Sequence, residues 1–297
     1  MLSKILDGLM RRYRERVPDV SAICQALVQE GVIANSEALE NDHIAFRTMG
    51  VPQLGIQSLE KIFLHYGYQR RDPYQFPVKK LDAYWYSPPE VGLPRIFVSQ
   101  LRVGDLSARS KQLIHSYTDE VANDPVDSLD LDDWQAVDEF LHRSLWRLPT
   151  LIDYKELLGE SEFAAWVIYN RYYLNHFTIS VHNFPPGYNT IVDFNRFLES
   201  RGFKLNDSGG KIKRSGDGLL IQSSTIAQMM DAEFDDGQGG RVKHPISGSY
   251  VEFVERRPIP GQTDSEGRPL RREGFEAASA DRIFESTYSA QTERKSG

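Results

Sequence analysis

The spacing of apolar residues divides the chain into segments of different character. Near the amino terminus Leu2, Ile5, Leu6 and Leu9 recur every three to four residues, which is the period of an amphipathic helix. We therefore predict a helical segment over residues 1–35. Farther along, this period gives way to short apolar or alternating runs bounded by turn residues, and such runs are typical of β-strands.

Two stretches, residues 36–105 and 169–257, repeat the same order of predicted elements. The first contains NDHIAFRTMGVPQLGIQSLEKIFLHYGYQRRD and the second contains LNHFTISVHNFPPGYNTIVDFNRFLESRGFKLND. Each opens with an asparagine before a histidine, His43 or His176, on a short apolar strand. A helix and further strand-like runs follow in each. We predict an α+β fold in which two β-α-β-β-β modules form a central barrel-like sheet.

The predicted helix of each module ends in the same way. These helices, residues 58–65 and 190–200, are followed by Gly67 and Gly202. Glycine at this place readily adopts the left-handed conformation that closes a helix. The shared ending supports a duplication, and pseudo-symmetric packing of the two copies would bring their first strands together.

Helical periodicity returns between the modules and again near the carboxy terminus. Apolar positions three and four apart predict a helical insert over residues 106–168, covering one side of the sheet. After Arg257 a charged loop rich in proline and glycine precedes a short helix within SADRIFEST, for which Ser279 is the predicted amino-terminal cap. We expect the carboxy-terminal segment, residues 258–297, to close the functional site.

Composition excludes several classes of partner. The formal net charge is −7 and no long basic run occurs, which argues against a nucleic-acid partner. No run approaches the roughly 20 apolar residues of a membrane span, so we expect no membrane partner. Cys24 is the single cysteine, which rules out an intrachain disulfide and favours a reducing compartment. We therefore predict a cytoplasmic protein.

Two of the seven histidines differ from the rest because they occupy equivalent places in the two copies. These are His43 and His176, and pseudo-symmetric packing would let their imidazoles meet. In the strand NDHIAFRT the side chain of Arg47 shares a face with His43. The other histidines lie in predicted helices, loops or a strand exit, where surface or capping positions explain them: His65, His115, His142, His182 and His244.

One acidic residue could complete a site with these imidazoles. Glu252 lies in YVEFVER among bulky apolar residues, where a buried acid is costly unless it is paired or bound to metal. The matching strand of the first copy, RIFVSQL, has no acid, so we predict a single metal centre. His43, His176 and Glu252 would form a facial triad, the ligand set of non-haem Fe(II). The alternative is two hydrogen-bonded core histidines and a glutamate paired with an arginine.

These motifs together are similar to a known family. NDHIAFRT, NHFTISVH, YVEFVER and the late GFEAASADRIFEST resemble the 2-oxoadipate dioxygenase/decarboxylase (hydroxyglutarate synthase) family, and the paired modules resemble the vicinal oxygen chelate superfamily. The resemblance covers most of residues 35–290. It implies an Fe(II) enzyme that converts 2-oxoadipate and O2 into 2-hydroxyglutarate and CO2.

The resemblance also implies roles for single residues. His43, His176 and Glu252 match the iron ligands, Arg47 matches a carboxylate-binding arginine, and Ser279 falls in a substrate-contacting stretch. Two alternatives remain: another vicinal oxygen chelate metalloenzyme, such as an isomerase or a ring-cleaving dioxygenase, and a metal-free module that binds a small ligand. The helical insert is compatible with a homodimer.

Overall fold

The computed structural model describes residues 1–293. Within them the α-helices are α1 (Leu2–Arg16), α2 (Pro18–Gln29), α3 (Ile56–His65), α4 (Ala108–Thr118), α5 (Trp134–Phe140), α6 (Leu151–Glu160), α7 (Glu162–Asn170), α8 (Ile191–Ser200), α9 (Ala277–Ile283) and α10 (Ser289–Thr292). The β-strands are β1 (Asn41–Met49), β2 (Gln69–Phe76), β3 (Leu81–Ser87), β4 (Arg95–Leu101), β5 (His176–Ser180), β6 (Lys213–Arg214), β7 (Leu220–Ser224), β8 (Met229–Asp235), β9 (Arg241–Ser247), β10 (Tyr250–Arg256), β11 (Pro258–Thr263) and β12 (Pro269–Arg271).

Eight of these strands form one curled sheet, in the order β2-β3-β4-β1-β5-β10-β7-β6. At its centre β1 and β5 are antiparallel, while β1 is parallel to β4 and β5 is parallel to β10. From the centre outward, β1-β4-β3-β2 on one side matches β5-β10-β7-β6 on the other, with the same strand directions. The predicted α+β fold of two β-α-β-β-β modules in a barrel-like sheet is confirmed.

The helices of the two modules end as the sequence predicts. α3 and α8 are followed by Gly67 and Gly202, whose φ angles of 86° and 85° lie in the left-handed region. The side chain of Thr190 caps α8 by accepting a hydrogen bond from the backbone of Asp193. α3 packs against β4, and α8 packs against β7 and β10, so each helix covers the outer face of its own module.

The second module contains a hairpin that we did not predict. β8 and β9 form a separate two-stranded sheet inserted between β7 and β10. Most residues of β8 and β9 are exposed or half-buried, so the apolar signal of these strands is weak. Phe234 is an exception: its ring lies 5.0 Å from that of Tyr154 and 4.9 Å from that of Tyr169, which holds the hairpin against the helical insert.

The helical insert and the terminal segments pack on this sheet. α4 to α7 occupy the predicted insert, and α7 continues two residues beyond residue 168. The indole nitrogen of Trp166 donates to the carbonyl of Gly248 at 2.9 Å, which ties the insert to the start of β10. One buried core runs through both modules, the insert and the amino-terminal helices. Residues 294–297 of the predicted carboxy-terminal segment lie outside the described residues.

Among the described helices, none has both the length and the apolar character needed to cross a membrane.

Candidate metal centre

The pairing of β1 with β5 brings two histidines together on the concave face of the sheet. His43 lies opposite Thr178, and Ala45 lies opposite His176, so the two histidines are diagonal neighbours across the strand pair. Their Nε2 atoms are 3.4 Å apart. Sequences separated by more than one hundred residues thus converge because two copies of one module join through their first strands.

β10 adds a carboxylate at the same place. It runs parallel to β5 with Glu252 opposite Thr178. The Oε2 atom of Glu252 lies 3.1 Å from Nε2 of His176 and 3.6 Å from Nε2 of His43. The three side chains are buried, and their ligand atoms all lie within 4.8 Å of one another. Glu252 forms no ion pair with an arginine or lysine of the described chain, so the alternative of an arginine partner is not what the structure contains.

A neighbouring side chain holds each imidazole from behind. The carboxylate of Asp42 lies 2.8 Å from Nδ1 of His43. The amide oxygen of Asn175 lies 3.0 Å from Nδ1 of His176. Both contacts require a proton on Nδ1, which leaves the lone pair of Nε2 facing the centre.

The carboxylate is oriented in a similar way. Gln222 donates its amide N–H to Oε1 of Glu252 at 2.6 Å, which leaves Oε2 pointing toward the imidazoles. Two imidazole nitrogens and one carboxylate oxygen on adjacent strands make a three-ligand set with an open side. Such a set suits a divalent first-row metal ion, and non-haem Fe(II) in particular.

Burial and charge shift the pKa values of the two imidazoles in opposite directions. Burial alone would lower the pKa of His43, but the carboxylates of Glu252 and Asp42 outweigh it and raise that pKa. Burial first, and then the charges of His43 and Arg47, hold the pKa of His176 well below its usual range. The pair therefore accommodates one positive charge beside Glu252, and a metal ion at this place would compete with that proton.

Arg47 lies on the concave face of β1 and is 1% exposed. Its guanidinium donates to the hydroxyl of Thr287 at 2.9 Å and to the carbonyl of Phe284 at 3.0 Å, while its Nε has no hydrogen-bond partner. It also lies over the rings of Phe163 and Trp166. Burial lowers the pKa of Arg47, and no carboxylate of the described residues forms an ion pair with it. Arg47 is therefore a buried cation with no described carboxylate within ion-pair distance, although the charge of Glu162 acts on it from farther away.

A small cavity of about 20 Å³ adjoins the centre. Phe275, Ala280 and Ile283 of the carboxy-terminal segment line one side of it, and closure of the site by this segment stays a prediction. None of the five other histidines lines it. The lining residues are His43, Phe97, His176, Gln222, Tyr250, Glu252, Phe275, Ala280, Ile283 and Phe284.

The placement of Ser279 differs from its prediction as a helix cap. α9 begins at Ala277 with Glu276 as its N-cap residue, so Ser279 is inside the helix and buried. Phe275, two residues before the first residue of the helix, packs over His43 with their ring centroids 4.8 Å apart. Ser279 does not line the cavity, although its neighbour Ala280 does, and its role as a substrate contact stays a prediction.

Sequence reasoning missed the residues that hold the ligands. Asp42 and Asn175 directly precede the two histidines, and this shared polar position was the available signal. Gln222 offered no signal of its own. Arg256 was also missed: it forms a buried ion pair with Asp42 at 2.6 Å. Burial would raise the pKa of Asp42, but the charges of Arg256 and Arg95 and the hydrogen bond with His43 together outweigh it and hold that pKa well below its usual range.

Comparisons with known proteins point to one enzyme family. The family model for 2-oxoadipate dioxygenase/decarboxylase matches residues 5–264. The chain is 40% identical over 308 residues to the 2-oxoadipate dioxygenase/decarboxylase, chloroplastic, of Arabidopsis thaliana, covering 99% of this chain and 79% of that protein. It superposes with a TM-score of 0.84 and 37% identity on the hydroxyglutarate synthase of Oryza sativa, crystallised in complex with 2-oxoadipate, covering 98% and 93% of the two chains.

A structure of lower sequence identity has a similar fold. A glyoxalase superfamily protein from Ralstonia eutropha matches with a TM-score of 0.72 at 20% identity, covering 92% of this chain and 85% of that one. This match concerns the fold alone, and it agrees with the predicted architecture of paired modules.

The prediction of a cytoplasmic protein is wrong. The Arabidopsis relative is chloroplastic. A single cysteine reports on the redox state of a compartment, and it carries no information about which reducing compartment that is.

Proposed function

This chain belongs to the 2-oxoadipate dioxygenase/decarboxylase family, and we propose that it converts 2-oxoadipate and O2 into 2-hydroxyglutarate and CO2. In this reaction the C1–C2 bond breaks and C1 leaves as CO2. C2 becomes the new carboxylate, and the carbon beside it gains a hydroxyl group. The observation that carries the proposal is the buried set of two imidazoles and one carboxylate, within 4.8 Å of one another, in a chain of this family.

We propose Fe(II) as the ion held by His43, His176 and Glu252. Iron would supply open coordination positions and the one-electron chemistry with O2 that amino-acid side chains lack. The side chains present fit this ion, because each ligand atom faces the centre. A polar neighbour holds the other side of each ligand: Asp42 for His43, Asn175 for His176 and Gln222 for Glu252. Zinc-dependent isomerisation on the same scaffold is the competing chemistry, and metal analysis distinguishes the two.

We propose that Arg47 binds a carboxylate of the substrate. A guanidinium buried without a carboxylate partner is costly, and a bound anion would offset that cost. Its planar fork can form two parallel hydrogen bonds with a carboxylate. The aromatic rings of Phe163 and Trp166 hold the guanidinium plane in place. Ser279, one residue from the cavity lining on α9, is proposed as a further substrate contact.

The carboxy-terminal segment is proposed to control access to the centre. A cavity of about 20 Å³ has room for about one water molecule. A six-carbon diacid therefore requires α9 or the rings of Phe275 and Phe284 to shift when it binds. After the substrate has bound and these apolar groups have moved back, they would exclude water from the reaction. A homodimer also remains a prediction, which the molecular mass in solution tests.

An oxygen-electrode measurement tests the proposed reaction. Protein loaded with Fe(II) under anaerobic conditions is mixed with oxygenated 2-oxoglutarate, 2-oxoadipate or 2-oxopimelate, and with adipate as a control that lacks the oxo group. We expect O2 uptake and equal release of CO2 with 2-oxoadipate, and none with adipate. Stoichiometric iron without O2 uptake for any oxo acid would contradict the proposal, as would full activity in protein that contains only zinc.

A further inference from the structure

Asp42 lies between His43 and the buried guanidinium of Arg256. Neither Asp42 nor Arg256 is a metal ligand or a substrate contact in the reaction proposed above. We propose that Asp42 is a positioning residue that sets the orientation of His43, and that Arg256 holds Asp42 in place. The proposal rests on the metal centre of the proposed function. It adds two residues that act through His43 and do not touch metal or substrate.

The contacts between these three residues are short and fully buried. One carboxylate oxygen of Asp42 lies 2.8 Å from Nδ1 of His43 and accepts from a terminal nitrogen of Arg256 at 2.9 Å. The other oxygen accepts from Nε of Arg256 at 2.6 Å. Asp42, His43 and Arg256 are 3%, 1% and 1% exposed. A two-point ion pair of this kind permits one carboxylate orientation, and that orientation places an acceptor at Nδ1 of the imidazole.

An acceptor at Nδ1 determines which nitrogen can bind metal. The imidazole must carry its proton on Nδ1, so the Nε2 lone pair faces His176 and Glu252. Carboxylate partners of this kind also make a ligating imidazole a stronger donor. Without Asp42 the ring could rotate or place its proton on Nε2, and the centre would lose a ligand.

Arg256 is itself fixed by a second set of contacts. Its other terminal nitrogen donates to the carbonyls of Arg272 at 3.0 Å and Gly274 at 2.8 Å. The next residue, Phe275, packs edge-on against the His43 ring with a centroid distance of 4.8 Å. The guanidinium of Arg256 therefore holds two parts of the structure. It holds the chain just before Phe275 through two carbonyls, and it holds His43 through Asp42.

The second module provides a natural control. Asn175 occupies the place of Asp42, and its amide oxygen lies 3.0 Å from Nδ1 of His176. This contact has the same geometry but no charge. The two histidines therefore differ in the partner that holds them, and each partner can be changed alone.

The experiment uses Co(II) in place of iron, because Co(II) is stable in air and its paramagnetism shifts the N–H protons of ligating imidazoles away from other NMR signals. Wild-type protein should show two such exchangeable signals. Asp42→Leu, which keeps the approximate shape of the side chain but removes the acceptor at Nδ1, should weaken Co(II) binding about 10- to 100-fold and shift or broaden one signal. Asn175→Ala should affect the other signal. Unchanged affinity and unchanged signals in Asp42→Leu would overturn the proposal.

A double variant separates positioning from folding. Asp42→Leu leaves Arg256 without its anion and is expected to destabilise the protein, whereas Asp42→Leu with Arg256→Gln removes both charges of this pair. Arg95, which also pairs with Asp42 at 3.3 Å, keeps Glu273 as its partner in both variants. We expect the double variant to recover thermal stability while its Co(II) affinity stays low. Recovery of wild-type affinity would show that the pair serves only stability. If wild-type protein and Glu252→Gln bind Co(II) equally, the metal centre itself is misplaced and both proposals fail.

Discussion

The two halves of the sheet share one topology but present opposite surfaces to the centre. In the second half Glu252 lies opposite Thr178, two residues after His176. In the first half the same pairing places Phe97 opposite Ala45, two residues after His43. A phenylalanine thus occupies the position of the glutamate, which explains why the duplicated fold contains only one candidate centre.

The difference continues toward the outer strands. Strand pairing shows that Ala83 and Tyr74 of the first half occupy the positions that Gln222 and Lys213 occupy in the second half. The first half therefore forms an aromatic wall, in which the ring of Phe97 lies 4.9 Å from that of Phe275. The second half forms a polar wall. The two halves therefore share a duplicated scaffold but differ in their side chains. The aromatic first half is suited to excluding water, and the polar second half is suited to binding ligands.

The largest effect is expected from the acid that only the second half contains. Glu252→Gln keeps the shape of the side chain but removes its charge, so binding of Fe(II) or Co(II) should fall more than about 100-fold. O2 uptake with 2-oxoadipate should be lost with it. Glu255→Gln is the matched control, because Glu255 lies on the opposite face of β10 and accepts from the backbone of Ile191. Stoichiometric metal in Glu252→Gln would remove this residue from the centre.

Arg47 provides the second test of the difference between the halves. It lies four residues after His43, whereas Ser180 lies four residues after His176. Arg47→Met should lower kcat/KM for 2-oxoadipate about 100-fold while metal stays bound, since a buried charge partner contributes a few kcal/mol. Its resistance to urea should be unchanged or increased, because an unpaired buried charge is removed. Ser180→Ala should leave kcat/KM near the wild-type value. Loss of metal in Arg47→Met would contradict the assignment to substrate.

Phe97→Glu tests whether the aromatic wall can be converted into a polar one. The new carboxylate would be buried among Phe275, Phe284 and Tyr74, so the free energy of unfolding should fall by about 3 kcal/mol or more. The metal content should remain one ion per chain, because the first half has only His43 to offer. Phe97→Leu is the control and should cost about 1 kcal/mol. Two ions per chain in Phe97→Glu would show that the halves are functionally equivalent.

The smallest effect concerns Lys213, which faces Gln222 across β6 and β7. Burial lowers the pKa of Lys213 from 10.5 to about 8. Between these pH values the unfolded chain binds more protons than the folded one, so the stability contributed by this residue rises with pH. Urea midpoints measured at several pH values should show wild type gaining about 1 to 3 kcal/mol over Lys213→Met across this window. A constant difference would mean that Lys213 titrates normally.

Local patterns were sufficient to predict the modules and the candidate ligands. Strand and helix periods, together with the glycines that end α3 and α8, depend on neighbours within a few residues and can be read from the chain. The repeat then identified His43 and His176 as equivalent, and the missing acid in RIFVSQL predicted a single centre. Glu252 stood out because an acid within an apolar strand needs a partner.

Contacts between distant residues were decided by the tertiary structure alone. Asp42 and Arg256 are 214 positions apart, and no pattern along the chain links them. The same holds for the packing of Phe275 over His43, and for the hairpin of β8 and β9, whose exposed strands give little apolar signal. The physical reason is that hydrogen bonding and packing join residues that are close in space but distant in the chain. The groups that hold a ligand side chain can therefore be identified only from the tertiary structure.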